Sequence, residues 1–297
     1  MSIVMVIATN LMIQGPNGKI SIRTKGLESK PANIVVLCQG ANISGQTGFD
    51  FTFPSGRDYS TMDALVTRGL GAVTFALSGY EKSDPPLDPL AFDTDAAIAD
   101  LCMVMEWVRN QGYSRPHLLG WSWGGRIVGR YTEKNPTRVE RLILLDPALG
   151  GGDKILPVPI EPWWFNTHED YMSRMQPQFT DEDARKAFAA LVIISDARAP
   201  NGIRVENAIG SVPVNPTAIG RPTLMLYGIG AAKQNYMHGS EPRGSFFERL
   251  ATAEKALVVV PNGGDYAHVQ HARRLCQKLI ADFLLQWMDQ GSSCSLK

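Results

Sequence analysis

Short, continuously apolar runs alternate along this chain with longer stretches in which apolar residues return every three or four positions. The runs at 3–8, 19–24, 33–38, 71–77, 116–121, 141–146, 222–228 and 256–261 have strand length. Ile34-Val35-Val36-Leu37 and Leu142-Ile143-Leu144-Leu145 are apolar at every position. Strands read this way when helices cover both faces of a parallel sheet. Helical periodicity marks 59–69, 93–111, 124–134, 244–253 and 268–289; in the second of these, Ala96, Ala97, Ile98, Leu101, Met105 and Val108 fall on one face. The first two strands are joined by loop alone, which predicts an antiparallel edge. From residue 33 onward strand and helix patterns alternate, which predicts right-handed crossovers. The expected fold class is therefore α/β: a doubly wound, mostly parallel eight-stranded sheet with helices on both faces.

The rhythm breaks once. Residues 150–220 hold Gly150-Gly151-Gly152, many prolines, the pair Trp163-Trp164, and helical stretches near 167–175 and 181–194. This segment falls between the sixth and seventh strands, so it is expected to be an inserted cap or lid. The expected division is a core of 1–149 and 221–297 with a cap of 150–220.

Composition narrows the classes of function. The 297 residues carry 29 Lys+Arg and 29 Asp+Glu, a formal net charge of zero, with no block of like charge. That argues against nucleic acid or an anionic membrane as partner and favours a neutral small-molecule substrate. No apolar run approaches the length of a membrane helix. The N-terminus lacks the basic start of a signal peptide and reads as a first strand. Cys38, Cys102, Cys276 and Cys294 form no C-x-x-C pair and are expected to be reduced and buried, which fits a cytoplasmic protein. Metal-ligand spacing, a phosphate loop and a dinucleotide fingerprint are all missing from the sequence, so no metal or cofactor is expected.

The chemistry-bearing signal is Gly120-Trp121-Ser122-Trp123-Gly124, between the apolar run His117-Leu118-Leu119 and a helical pattern. G-x-S-x-G alone is a weak pattern, and its bland reading is a tight strand–helix turn. Strand before and helix after make it a nucleophile elbow, a strained bend that lifts the serine hydroxyl above the sheet. Through this motif and its βαβ setting the chain resembles the α/β-hydrolase fold family from about residue 19 onward. Relatives that cleave carbon–halogen bonds or epoxides use aspartate at this turn; serine implies acyl transfer. The resemblance implies an oxyanion hole from the backbone N–H groups of Ala41 and Trp123. The family's His-Gly after its third strand reads Gln39-Gly40 in this chain. Gln39, Gly40 and Asn42 beside the hole, Tyr80 after the fourth strand, and Trp163 and Trp164 of the cap are expected to contact substrate.

A serine needs a base. The family's Pro-Asn-x-Gly-His would place histidine at position 265, where this chain has aspartate, within Pro261-Asn262-Gly263-Gly264-Asp265-Tyr266-Ala267-His268. A slightly longer loop would bring His268 to Ser122, so His268 is the expected base. His271 lies one helical turn further on, His117 at the wrong end of the sheet, and His168 and His238 on the surface or lid. The family's acid after the seventh strand is missing from Gly228-Ile229-Gly230-Ala231-Ala232. Some relatives place it after the sixth, where Asp146 stands; Asp265 and Glu241 are the alternatives. The function expected is hydrolysis of a carboxylic ester or lactone of a neutral, largely apolar molecule through an acyl-enzyme. The alternatives are carbon–carbon bond hydrolysis, amide cleavage or acyl transfer on the same fold, and a non-enzymatic ligand-binding relative.

Overall fold

The structure, a computed structural model, describes residues 6–56, 58–151, 157–231 and 243–285. Its main sheet contains β1 (Ala8–Gly15), β2 (Gly18–Lys25), β3 (Ile34–Cys38), β4 (Gly71–Phe75), β5 (His117–Trp121) and β6 (Leu142–Leu145). The strands β7 (Trp163–Phe165) and β8 (Arg198–Pro200) form a separate antiparallel pair. The main sheet is completed by β9 (Thr223–Gly228) and β10 (Lys255–Val260). Its order is β1-β2-β4-β3-β5-β6-β9-β10, eight strands. The edge pairs β1–β2 and β2–β4 are antiparallel, and every other pair is parallel. The fold class read from the pattern therefore stands.

Alternation along the buried strands divides the interior into two cores, because successive side chains point to opposite faces. Ile34, Val36, Cys38, Leu118, Leu142, Leu144 and Met225 face one core, with Ala97, Leu101 and Val104 of α3 (Thr94–Asn110) and Ile127 and Val128 of α4 (Trp123–Lys134). Val35, Leu37, Leu119, Ile143, Leu145, Leu224 and Leu226 face the other. That second core is closed by Phe49 of α1 (Gly45–Phe49), Met62 and Leu65 of α2 (Thr61–Val66), and Cys276, Ile280 and Leu284 of α9 (Arg273–Leu285). Between β6 and β9 the chain forms β7, α5 (His168–Arg174), α6 (Glu182–Ser195), β8 and α7 (Gly202–Ile209); α8 (Arg243–Arg249) precedes β10.

Two boundaries and the burial of one cysteine differ from the sequence reading. The first strand runs Ala8–Gly15 rather than 3–8, of which 3–5 lie outside the described residues. Ala8–Gly15 is an edge strand with alternating exposure, so its signal is a weak period of two with Leu11 and Ile13 turned to the core. The last helix begins at Arg273 rather than 268; Ala267–Val269 is a single 3₁₀ turn and Gln270 is extended. Cys102 is exposed on α3, while Cys38 and Cys276 are buried and all three are free thiols; Cys294 lies outside the described residues. No helix among the described residues is long and apolar enough to cross a membrane.

The parallel strands end on one rim, and the turn after β5 is built into it by close backbone contact. A Cβ at Gly124 would lie 2.3 Å from the Cys38 carbonyl oxygen and 2.4 Å from that of Gln39. A Cβ at Gly120 would lie 2.2 Å from the Gly124 carbonyl oxygen. Both obstacles are backbone, which cannot swing aside. Gly124→Ala is therefore expected to cost about 3 kcal/mol or more, a fall in melting temperature of roughly 6–12 °C by thermal denaturation. A variant that melts with the parent would mean that the turn is looser than this packing implies.

Candidate active site

Ser122 stands between β5 and α4 with φ 53° and ψ −119°, a backbone conformation that an L-residue adopts only at a cost of about 1–3 kcal/mol. Neighbouring strand ends hold it there. Its N–H donates to the Leu145 carbonyl at 3.0 Å, and its carbonyl accepts from Gly125 N–H and Ala148 N–H, each at 2.9 Å. Gly40 keeps the space beside it open, since a Cβ there would come within 3.3 Å of the Ser122 Cβ. This is the strained strand–turn–helix bend that the motif predicts.

Two N–H groups lie free on either side. Trp123 opens α4, so its N–H has no helical acceptor. Among the described residues neither it nor the N–H of Ala41 donates to a protein acceptor. The loop bearing Ala41 is braced rather than open. Gln39 is fully buried, and its Oε1 accepts from Gly45 N–H at 3.2 Å and Leu77 N–H at 3.0 Å. Tyr80, also fully buried, donates its hydroxyl to the Ala41 carbonyl at 2.7 Å. Gln39 and Tyr80 were expected to contact substrate; in the structure the Gln39 Oε1 and the Tyr80 hydroxyl brace the loop, and the buried Gln39 Nε2 has no partner among the described residues. Asn42 accepts from Arg204 at 2.6 Å through its side chain and from Asn166 at 2.8 Å through its carbonyl. Trp163 and Trp164 are half-buried on β7, with the guanidinium groups of Arg198 and Arg204 each 4.1 Å over their rings.

The expected base is not brought to the nucleophile. His268 is fully buried in the 3₁₀ turn, in the core on the α9 side. Its ring lies 4.8 Å from that of Trp121 and 5.5 Å from that of Phe49, centroid to centroid. Its Nε2 pairs with the Gly48 carbonyl at 3.1 Å, and its Nδ1 has no partner. Neither nitrogen bonds Ser122. The physical reason is the 3₁₀ turn: the chain folds back under Trp121 instead of extending the loop over the rim. His271 is exposed and pairs with Asp181 at 3.2 Å. His117 is buried at the start of β5, and His168 is exposed at the start of α5. His238 and Glu241 lie outside the described residues.

Asp265 takes the place that the family gives to histidine. Its carbonyl accepts the Trp121 indole N–H at 2.8 Å, which ties the position to the residue preceding Ser122. Asp146, at the end of β6 with φ 39°, accepts from Gly228 N–H at 3.3 Å and pairs with Arg243 at 3.9 Å, not with a histidine. Among the described residues no imidazole pairs with it, so the orienting role expected for it has no partner there. Asp146, Asp265 and Arg243 form one electrostatic cluster. Burial above all, then the neighbouring Asp265, pushes the Asp146 carboxyl well above the usual carboxylate range, against Arg243 and the Gly228 N–H. Burial likewise pushes Asp265 up, against Arg243 and Arg174. Arg243 lies flat on Tyr227, 3.4 Å from the ring centre. Two carboxyl groups beside one guanidinium favour a pair that holds a single negative charge. No group of three or more His, Cys, Asp or Glu among the described residues has the geometry of a metal site.

Asp265 was visible in the sequence, at the position where the family's loop pattern places its histidine. Arg243, Arg204 and Arg174 were not: they are scattered along the chain, and only folding brings them near the site.

A serine elbow on the rim of this sheet, flanked by two unpartnered N–H groups, defines the α/β-hydrolase class. A family profile described as the alpha/beta hydrolase family matches residues 35–278, and the chain belongs to that family. The chain is 24% identical over 219 residues to the 2-hydroxy-6-oxononadienedioate/2-hydroxy-6-oxononatrienedioate hydrolase of Paraburkholderia xenovorans, covering 66% of this chain and 70% of that protein. It is 39% identical over 59 residues to the abhydrolase domain-containing protein lid-1 of Caenorhabditis elegans, covering 19% of this chain and 16% of that one. Among solved structures it is similar to an esterase from Exiguobacterium antarcticum, with TM-score 0.65, 19% identity, and coverage of 93% of this chain and 99% of that one.

The burial of His268 yields a prediction. Its ring is pushed down to about 3 from an ordinary value of 6.5, chiefly by burial, with the Gly48 bond opposing. The unfolded chain then binds the extra proton between those limits, so stability contributed by this residue is present above 6.5 and lost as pH falls toward 3. His268→Phe cannot titrate. The stability of the parent relative to this variant should fall as pH drops from 7 to 4, by up to about 1.4 kcal/mol per unit, in paired denaturant titrations. A constant difference between the two proteins across that range would mean that the imidazole titrates normally in the folded state.

Proposed function

We propose that the protein hydrolyses a carboxylic ester or lactone through an acyl-enzyme on Ser122, with Asp265 doing the proton transfer that an imidazole performs in the family. The observation that supports this reading is the strained elbow of Ser122 between two unpartnered N–H groups, with the Asp265 carbonyl tied to the indole of the preceding Trp121. Ser122 Oγ attacks the carbonyl carbon as its proton passes to the Asp265 carboxylate. The N–H groups of Ala41 and Trp123 receive the oxyanion. The leaving oxygen departs with the proton from Asp265, and water then cleaves the acyl-serine by the same route in reverse. Burial raises the proton affinity of Asp265 toward what a base requires, while the guanidinium of Arg243 favours its carboxylate. The segment from β7 to α7 serves as the cap over this site, with Arg204 and Asn166 bonded to Asn42.

Carbon–carbon bond hydrolysis is the second reading. Its support is the similarity to a hydrolase of a 2-hydroxy-6-oxo dienedioate, whose name gives a ketone in place of an ester carbonyl.

Labelling by a fluorophosphonate tests the nucleophile and its base together. The parent should label and Ser122→Ala should not. Asp265→Asn should slow labelling by about tenfold or more, and Asp265→His, which restores the family's residue above Asp146, should speed it. Labelling that survives Asp265→Asn but is lost in His268→Gln would return the base role to His268. A parent that never labels, with the fold intact, would leave a ligand-binding relative. Product analysis on matched ester, lactone and diketone substrates separates the two hydrolytic readings.

A further inference from the structure

Among the described residues no carboxylate pairs with Arg204 of α7. Its guanidinium is half-buried, stacked 4.1 Å over Trp164, and donates to the side chains of Asn42 at 2.6 Å and Asn201 at 3.1 Å. Both acceptors are neutral. The ionisable groups within electrostatic reach are Tyr80, Tyr171 and a second cation, Arg174. Arg174, exposed at the end of α5, lies over Tyr171 at 5.9 Å, with the Asp265 carboxyl within its electrostatic reach. Arg204 has no carboxylate paired with it among the described residues, and a half-buried guanidinium beside a second cation is destabilised unless something anionic joins it. Their place gives the anion a role. Asn42 follows Ala41 directly, so Arg204 is bonded to the residue next to the N–H group assigned to the oxyanion, and Trp164 and α5 belong to the cap above it.

We propose that Arg204, with Arg174 beside it, binds an anionic group of the substrate, a carboxylate carried on the acyl or alcohol part at a short distance from the scissile carbonyl. This rests on the hydrolytic reading of Ser122 and sharpens its substrate class from a neutral ester to the ester of a dicarboxylic or hydroxy acid. A guanidinium fixed by stacking and by Asn42 offers a planar fork to a carboxylate at little further ordering cost. The balanced net charge gave no hint of it, because the two arginines come from separate cap helices.

Two measurements test it. In the Ser122→Ala background, which cannot turn over, calorimetry should detect glutarate more tightly than the neutral glutaramide, and Arg204→Gln should weaken glutarate by about tenfold or more. Glutamine can still donate to Asn42, so the loop keeps its bond. With the active protein, the ratio of kcat/KM for 4-nitrophenyl hemiglutarate over that for 4-nitrophenyl pentanoate should fall by about tenfold or more in Arg204→Gln, and recover in part in Arg204→Lys. Equal affinity for glutarate and glutaramide, or a loss by Arg204→Gln that is the same for both esters, overturns the proposal. If neither ester turns over while glutarate is still distinguished from glutaramide, the hydrolytic reading fails and the anion site stands.

Discussion

The close approach of backbone to backbone at the end of β5 is the constraint on which the rest of the site depends. Cys38 and Gln39 press on Gly124, and Gly124 presses on Gly120, with no room for a single added carbon. Only under that compression does Ser122 hold a conformation that an isolated chain would avoid. The same contact sets the free N–H of Trp123 beside the loop that carries Ala41. Position, strain and a free backbone N–H thus come from one piece of packing. Gln39 extends it, joining the end of β3 to the residues after β4 and to α1 through a single amide oxygen.

Electrostatics at this rim departs from the family's usual arrangement. An imidazole is neutral at rest and becomes charged during the reaction, and a buried carboxylate commonly stabilises it. In the proposed reaction Asp265 instead starts as an anion and is neutralised as it accepts a proton. Arg243 fits that reversal, because a cation supports the resting state of the pair. The histidine itself has not left the chain. It stands three positions later, inside the apolar core, where its neutral form packs between Phe49 and Trp121.

The architecture was readable because burial on both sides makes strands continuously apolar, as in Ile34–Leu37 and Leu142–Leu145, and because glycines at 120 and 124 have no other explanation beside a serine. The exposed edge strand was misplaced because its alternation is faint. The place of His268 was misjudged for a different reason. Spacing already put Asp265 at the histidine's position, but a loop's length cannot be judged from residue types that allow either an extension or a tight turn. The 3₁₀ turn at 267–269 decided it, through the burial of His268 and Val269. Gln39 and Tyr80 looked like ligand contacts because they flank the hole; their engagement with backbone carbonyl and amide groups is a tertiary fact.

The excursion between β6 and β9 begins and ends on neighbouring strands that pair in parallel, Leu142 opposite Thr223 through Leu145 opposite Leu226. Its two anchors are therefore fixed to each other by the sheet, whatever the chain does in between. Segments attached in this way can be exchanged, lengthened or rebuilt while the elbow beneath stays in register. For this fold that means recognition can diverge quickly while the reacting groups remain where they are, and the arginines borne by that excursion are the part of the molecule freest to follow a change of diet.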